Sequence, residues 1–275
     1  MNKKEVSANK SDKEMAFLQE LYVATDWGER FAELIDEHVE LPKKGRILYV
    51  ASGTGGHAMA LLERAGDDVT MVCVDESEEC LELARAKAAV ISGDPEFYRT
   101  QLESLQFEDE QFDLVVCDAS LVQPERLPEM ISEMARVCKP EGTVALTLAT
   151  SSSFGEFFSI YWEALRSTNL EEHGPDVEEL IKELPTITDI EALAEREGLE
   201  AVTSWTTIEE FDYESGEEFL NAPLITDFLF RNWLASLEPD NRERVIKQIE
   251  RIIDEERHDM DFSLTLKATL IVGRK

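Results

Sequence analysis

The chain has 275 residues, of which 59 are Asp or Glu and 27 are Lys or Arg, so its formal net charge is −32 at pH 7. Nucleic acids and anionic membrane surfaces attract clustered Lys and Arg, whereas both halves of this chain are strongly acidic. Because 43% of the residues are hydrophobic, the chain can still bury a core. The composition therefore favours a globular protein with no nucleic-acid or membrane partner.

The sequence starts without an apolar signal segment and contains no run approaching the roughly 18 apolar residues of a membrane span. We therefore expect a cytoplasmic protein. The four cysteines form no C-x-x-C pair, and three of them lie in or beside apolar runs. We expect them to be buried, reduced thiols rather than metal ligands.

Strand and helix patterns alternate from residue 46 to residue 148, after two helices predicted between residues 13 and 38 and broken near residues 25–28. This alternation is typical of a doubly wound parallel sheet. The predicted strands are 46–51, 69–74, 96–100, 112–117 and 143–148, and the predicted helices are 55–65, 77–90 and 127–138. Ser77 has the side chain and position of a helix N-cap, and 139–142 is predicted as a turn.

The pattern changes after residue 150, where helical periodicity dominates. Helices are predicted at 154–168, 176–184, 187–197, 217–236 and 238–257, with one strand near 200–209. The segment 262–272 alternates apolar and polar residues at first, which predicts a half-exposed edge strand.

The segment Ala51-Ser52-Gly53-Thr54-Gly55-Gly56 joins the first predicted strand to a helix. Glycines there let the backbone approach a ligand, and N–H groups at the start of the helix can receive an acceptor. Together with Asp75 at the end of the second strand, the segment resembles a dinucleotide fingerprint that lacks its first glycine. An acid at this position binds a ribose diol in many nucleoside sites, so these residues alone do not separate NAD from other nucleoside cofactors.

A longer series of motifs separates these cofactors. Residues 47–55, ILYVASGTG, resemble the V-L-D-x-G-C-G-T-G motif of class I S-adenosylmethionine-dependent methyltransferases, and VCVDES at 72–77 resembles their second strand and its acid. LESLQFEDEQFDLVV at 102–116 and ARVCKPEGTV at 135–144 resemble two further motifs of that family, in the same order. The resemblance covers residues 45–150. Within the family, this part of the chain is similar to the ubiquinone/menaquinone-biosynthesis type of small-molecule methyltransferase domain.

The resemblance implies an α/β, doubly wound, Rossmann-like sheet of seven strands, mostly parallel with an antiparallel last strand. It also implies a domain organisation. Residues 1–44 would form N-terminal helices that cover the cofactor site, and residues 45–275 would form the methyltransferase domain, with a helical lid insertion at about 211–237.

The resemblance further implies S-adenosylmethionine as cofactor and a set of binding residues. Backbone atoms of three loop residues would approach the methionine part, Asp75 would accept bonds from the ribose hydroxyls, and the remaining residues would surround the adenine, the sulfonium and the outer face of the cofactor. These residues are Ala51, Gly53, Gly55, Asp75, Glu76, Gln101, Leu102, Asp118, Tyr22 and Trp27.

Two residues depart from the family pattern. Tyr49 stands where members often carry an acid that orients the ammonium group of the cofactor, and Ala51 stands where they often carry glycine. A Cβ at residue 51 costs about 1 kcal/mol if the backbone needs a positive φ. These departures leave open a non-catalytic relative that binds the cofactor or a partner without turnover.

The reaction implied is methyl transfer to a small organic molecule, which requires an in-line approach of the nucleophile and no obligatory base. If the acceptor is a hydroxyl or phenol, Asp118 or His57 is the candidate base; no other catalytic residue is assigned and no metal is expected. An aromatic stripe in the predicted helix 154–168 and an apolar and aromatic set at 211–233 are either buried faces or the wall of an apolar or aromatic substrate site. An NAD-dependent oxidoreductase is the third alternative, and it does not require an antiparallel last strand.

Overall fold

The computed structural model describes residues 10–91, 93–256 and 261–275. Within them, seven strands form one sheet in the order β3-β2-β1-β4-β5-β7-β6. The strands are β1 Gly45–Val50, β2 Val69–Asp75, β3 Glu96–Arg99, β4 Phe112–Asp118, β5 Cys138–Ala149, β6 Glu200–Tyr213 and β7 Phe262–Arg274. β1 to β5 pair in parallel with one another, and β7 runs antiparallel to β5. The predicted Rossmann-like class with an antiparallel last strand is confirmed.

The helices lie close to their predicted positions. They are α1 Asp12–Leu18, α2 Trp27–His38, α3 Gly56–Arg64, α4 Glu78–Ala88, α5 Leu127–Val137, α6 Gly155–Ser167, α7 Gly174–Glu183, α8 Ile187–Arg196, α9 Gly216–Asn221, α10 Phe230–Trp233 and α11 Pro239–Glu256. A π-helical turn, Gln19–Val23, follows α1. None of the helices in the described residues is long and apolar enough to cross a membrane.

One face of the sheet carries the main apolar core. Alternate residues of a strand point to opposite faces, so Leu48 and Val50 of β1 enter this core while Tyr49 points to the other face. Apolar residues of α5 and α8 cover the core on this side. The two parallel neighbours of β1 are also buried, which explains why these strands are nearly continuous apolar runs in the sequence.

Four expectations from the sequence need correction. β7 is not an edge strand, because it lies between β5 and β6. The predicted turn at 139–142 belongs to β5, which begins at Cys138 and pairs with β4 through an irregular register. β6 extends to Tyr213, so it includes the first residues of the segment predicted as a lid. The helix predicted at 217–236 is divided into α9, a π-helical segment Leu224–Leu229, and α10.

The described residues divide into two compact units. The sheet unit comprises Asp12–Ala149, Pro185–Thr207 and Ala268–Lys275. The helical unit comprises Thr150–Leu184 and Ile208–Lys267, with Lys10 and Ser11. Residues 1–9 of the predicted N-terminal region lie outside the described residues, as does Arg257 of the last predicted helix. The lid role of residues 211–237 stays a prediction.

Aromatic side chains form the interior of the helical unit. The Phe157 and Trp233 rings stack with centroids 4.4 Å apart, and Phe219 lies edge-on to Phe262 at 5.2 Å. Phe157 and Tyr161 are fully buried. Both aromatic sets found in the sequence therefore pack against each other, so their apolar character is explained by core packing.

All four cysteines are free and buried in the sheet unit, as expected: Cys73, Cys80, Cys117 and Cys138.

Candidate functional site

The loop between β1 and α3 has an unusual backbone. Ala51, Gly53 and Gly55 all have positive φ, at 53°, 53° and 75°. A Cβ on Gly55 would lie 2.6 Å from the Cβ of Ala84 in α4, so this glycine is required by packing as well as by its φ. The loop therefore turns tightly at the carboxyl end of β1, where glycines allow a close approach of the backbone to a ligand.

Asp75 ties this loop to the end of β2. One carboxylate oxygen accepts a bond from the Gly53 N–H at 2.8 Å, and the other accepts from the Ser77 N–H at 2.9 Å. Burial raises the pKa of the Asp75 carboxyl, and these two N–H donors offset part of the increase. The Glu76 N–H also acts on this carboxylate. Since a carboxylate has about four acceptor positions, Asp75 keeps capacity to accept from a ribose hydroxyl.

The predicted N-cap is confirmed, because the Ser77 hydroxyl accepts a bond from the Cys80 N–H at 3.1 Å.

The hydroxyl of Ser52, in the loop between β1 and α3, is in a different situation. The Ser52 Oγ atom is buried, and no hydrogen-bond partner for it lies within the described residues. A buried hydroxyl without a partner is costly, so a bound polar group beside the loop would satisfy it. Asp75, Ser52 and the tight loop together suit a nucleoside cofactor.

The loop that follows β3 meets the same edge. The Thr100 N–H donates to the Asp75 carbonyl at 3.1 Å, which places Gln101 and Leu102 beside the end of β2. Gln101 is exposed and Leu102 is buried. This arrangement suits a polar contact from Gln101 and an apolar contact from Leu102 to a base.

Glu76 belongs to an ion-pair cluster that sequence reasoning missed. The Arg126 guanidinium donates to both carboxylate oxygens of Glu76, at 2.8 and 3.0 Å. It also binds Glu103, at 2.8 Å to one oxygen and through its Nε to the other. Arg126 therefore links the loop after β2 to the loop after β3. No motif marks this arginine, because its partners lie 50 and 23 residues away in the chain.

Asp118 lies at the carboxyl end of β4, next to β1. One of its oxygens accepts from the Ser120 N–H at 3.0 Å and from the Thr147 hydroxyl at 3.4 Å. Burial raises the pKa of the Asp118 carboxyl. The indole N–H of Trp27, at the start of α2, donates to the Ser120 hydroxyl at 3.0 Å. Trp27 is 1% exposed, so α2 begins against this edge of the sheet.

Tyr22 differs from Trp27, because its side chain is 51% exposed. The residue of the N-terminal segment that reaches the loop is Gln19, which the sequence did not indicate. A Cβ on Gly53 would lie 2.8 Å from the Gln19 Nε2, and the Gln19 Oε1 accepts from the Cys80 thiol at 3.3 Å. The N-terminal segment thus contacts the loop through a residue that belongs to no motif, and its role as a cover of the cofactor site stays a prediction.

Tyr49 begins a chain of polar contacts beneath the loop. Its hydroxyl lies 2.8 Å from the Nδ1 of His57 in the first turn of α3. The Nε2 of His57 lies 3.0 Å from a carboxylate oxygen of Asp36 in α2, and Asp36 forms an ion pair with Arg64. Burial raises the pKa of the Tyr49 phenol well above its ordinary value. His57 is therefore engaged through both ring nitrogens.

The fold and this edge define the class of the protein: a Rossmann-like α/β chain with a nucleoside-type site at the carboxyl ends of β1, β2 and β4. Residues 47–142 match the family model described as methyltransferase domain. This part of the chain is therefore similar to a methyltransferase domain, and it is the part whose motifs predicted one.

Curated relatives match about half of the chain. The ubiquinone/menaquinone biosynthesis C-methyltransferase of Geotalea daltonii is 30% identical over 125 residues, which are 45% of this chain and 53% of that protein. The demethylmenaquinone methyltransferase of Deinococcus radiodurans is 32% identical over 146 residues, which are 52% of this chain and 59% of that protein. The chain thus spans about half the length of the curated relatives it matches.

Solved structures share the fold. The YcgJ protein of Bacillus subtilis has a TM-score of 0.59 at 19% identity, covering 90% of this chain and 98% of that chain. The Haemonchus contortus phosphoethanolamine N-methyltransferase 2, solved in complex with S-adenosyl-L-methionine, has a TM-score of 0.56 at 16% identity, covering 96% of this chain and 57% of that one. At these identities the likeness establishes the fold.

Proposed function

We propose that the chain binds S-adenosylmethionine at the loop Ala51–Gly55 and transfers its methyl group to a small organic molecule. The observation that carries the proposal is the Asp75 carboxylate, which is bonded to the Gly53 and Ser77 N–H groups while it keeps acceptor capacity for a ligand hydroxyl. A ribose diol beside Asp75 would place the rest of the nucleoside between the loops after β2 and β3. The tight loop would then face the methionine part.

The bound cofactor would supply an electrophilic methyl carbon on a sulfonium. The task of the protein is therefore to position the acceptor in line with the methyl–sulfur bond and to exclude water. Asp75 and the loop Ala51–Gly55 would hold the cofactor, which would supply the methyl group to the acceptor nucleophile and would keep the electron pair of the broken carbon–sulfur bond on its sulfur. If the acceptor carries a proton, Asp118 is the better placed of the two candidate bases, because both ring nitrogens of His57 already have partners.

Isothermal titration calorimetry with S-adenosylmethionine, S-adenosylhomocysteine and NAD tests the cofactor. We expect micromolar affinity for the first two ligands. Asp75→Ala should lower that affinity about a hundredfold, because the variant loses two hydrogen bonds to a charged acceptor. The matched control is Glu82→Ala, which removes an exposed carboxylate of α4 and should leave the affinity unchanged. Binding of NAD alone, or of none of the three ligands, would overturn the proposal.

A radiolabelled methyl-transfer assay then tests the reaction. The relatives named above act, by their names, in ubiquinone and menaquinone biosynthesis, so the acceptor panel begins with hydroxylated and quinone-type rings and continues with amines. Turnover on a panel member that Asp75→Ala abolishes would support the enzyme. Cofactor binding with no turnover on any acceptor would favour the non-catalytic alternative instead.

A further inference from the structure

The loop after β3 is held at its two ends through backbone N–H groups. The Thr100 N–H donates to the Asp75 carbonyl at 3.1 Å, and the Leu105 N–H donates to a carboxylate oxygen of Glu133 in α5 at 2.8 Å. The middle of the loop, residues 101–103, receives a different kind of contact.

This contact comes from Arg126, which ends a 3₁₀ turn leading into α5. Its guanidinium lies between two carboxylates. It binds Glu103 in the loop after β3, at 2.8 Å to one oxygen, and it donates to both oxygens of Glu76 after β2, at 2.8 and 3.0 Å. A planar guanidinium can bind two carboxylates at once in this way. One side chain therefore joins the two loops between which the nucleoside would lie.

The Asp75 carboxylate is held independently of Arg126. Its donors are two backbone N–H groups, in the loop after β1 and at the start of α4. Glu76 and Glu103, in contrast, bind the same guanidinium, so without Arg126 their negative charges would repel each other. Loss of Arg126 should therefore displace the loop after β3 and leave the acceptor for the ribose in place.

We propose that Arg126 is a positioning residue for the base of the cofactor, because it holds Glu76 and Glu103 together and so fixes the loop after β3. Gln101 and Leu102 precede Glu103 in this loop, and Arg126 acts through them. This inference rests on the proposed binding of S-adenosylmethionine. It goes beyond that proposal by making recognition of the base depend on a residue that lies in none of the motifs.

Two ligands separate recognition of the base from recognition of the rest of the cofactor. S-adenosylhomocysteine carries the base, and S-ribosylhomocysteine has the sulfur-linked ribose and the amino-acid end without it. We expect Arg126→Met to weaken binding of S-adenosylhomocysteine about tenfold, since contacts to the base are lost. Calorimetry by competition should show S-ribosylhomocysteine within about twofold of its wild-type affinity, which also shows that the variant is folded.

Arg251→Met is the matched control. Arg251 lies on α11, is 65% exposed and forms an ion pair with Glu255. Its loss removes the same charge from the chain as Arg126→Met does, and it should change neither affinity.

A double-mutant cycle tests whether the loss arises from the contact between the loops. We expect Glu103→Gln alone to weaken binding of S-adenosylhomocysteine about threefold. Independent residues would give a loss of about thirtyfold in the double variant with Arg126→Met, whereas residues that share one contact should give no more than about tenfold.

The outcomes separate this inference from the proposed function. A loss of about thirtyfold in the double variant, equal losses for both ligands in Arg126→Met, or no loss for either would overturn the role of Arg126 while the proposed function stands. A wild-type protein that does not bind S-adenosylhomocysteine would overturn the proposed function and this inference with it.

Discussion

The carboxylates at the carboxyl edge of the sheet and those beside α5 occupy opposite electrostatic environments. At the edge, burial raises the pKa of Asp75 and Asp118, and the donors that bond them are backbone N–H groups and hydroxyls. Beside α5, the guanidinium of Arg136 lowers the pKa of Glu133, and that of Arg126 lowers the pKa of Glu103.

The opposite pKa shifts indicate two different uses of the carboxylate group. A carboxylate that is desolvated without a cation destabilises the fold, whereas one that is bonded to a guanidinium adds to stability. Proteins retain destabilising groups where a ligand needs them. Under the proposed function, the edge holds charge ready for ligand donors, whereas the ion pairs beside α5 hold loops in place. The formal net charge of the chain, −32, does not show which carboxylates belong to which of the two environments.

We expect the largest effect on the free energy of unfolding, from a substitution that breaks the ion pairs beside α5. Arg136 donates to both oxygens of Glu133 at 2.6 and 2.8 Å and to the carbonyls of Phe107 and Leu105 at 2.8 and 2.9 Å. We expect Arg136→Met to lower the free energy of unfolding by about 2–3 kcal/mol, because Glu133 and two carbonyls lose their donor. Urea unfolding followed by circular dichroism measures this change.

Arg166→Met is the matched control, because Arg166 is 67% exposed and its contact with Glu163 is 3.7 Å long. Its loss should change the free energy of unfolding by less than about 0.5 kcal/mol. Equal effects of the two substitutions would contradict the assignment of a structural role to Arg136.

The next prediction concerns how the ligand affinity of the carboxyl edge of the sheet depends on pH. Asp75 must be ionised to accept two ribose hydroxyls, so affinity for S-adenosylhomocysteine should fall as pH is lowered through its raised pKa, by up to about tenfold per pH unit. The fall should begin above the ordinary Asp range near about 3.9. Calorimetry between about pH 8 and about pH 5 measures this dependence in the wild type and in Asp75→Ala. The remaining affinity of the variant should vary less with pH.

The two regions should also respond to acid with opposite signs. The folded pKa of Asp75 is raised, so its ionised form destabilises the fold above that pKa, and this cost disappears as pH falls through it. The folded pKa of Glu133 is lowered, so its contribution is present above the unfolded value of about 4.3 and is lost as pH falls through the folded pKa. For ligand binding, an affinity for S-adenosylhomocysteine that rises as pH is lowered would contradict the role of Asp75.

The sequence could predict the sheet because its signals are local. Apolar runs bounded by turns locate β1, β2 and β4, and the Ser77 side chain marks the start of α4. The prediction of β7 as an edge strand was wrong because alternation of side chains reports exposure and not neighbours. Only the pairing of β7 with β5, more than 100 residues earlier in the chain, and the position of β6 beyond it place β7 inside the sheet.

The arrangement of the candidate site could be predicted where it depends on the backbone and on one short motif, and the cofactor contacts of its residues stay predictions. The loop and Asp75 could be placed from the sequence, because the carboxyl ends of parallel neighbours meet. Arg126 and Gln19 could not, because each reaches the site from a distant element by a side-chain conformation that no spacing encodes. Tyr49 was noticed as a departure from a family pattern, but its contacts with His57 and Asp36 required the positions of α2 and α3.

The smallest predicted effect concerns the backbone of the loop itself. Ala51 has a φ of 53°, a conformation that costs an L-residue about 1 kcal/mol and glycine almost nothing. Glycine also gives the unfolded chain more freedom, which offsets about half of the gain. We therefore expect Ala51→Gly to raise the free energy of unfolding by about 0.5 kcal/mol, as measured by urea unfolding.

The same substitution in a regular helix gives the matched control. Ala86 is an exposed residue inside α4, where glycine costs about 1 kcal/mol relative to alanine. Ala86→Gly should therefore destabilise the protein while Ala51→Gly stabilises it slightly. A loss of stability in both variants would mean that Ala51 is not strained, because the freedom of glycine in the unfolded chain would then dominate at both positions.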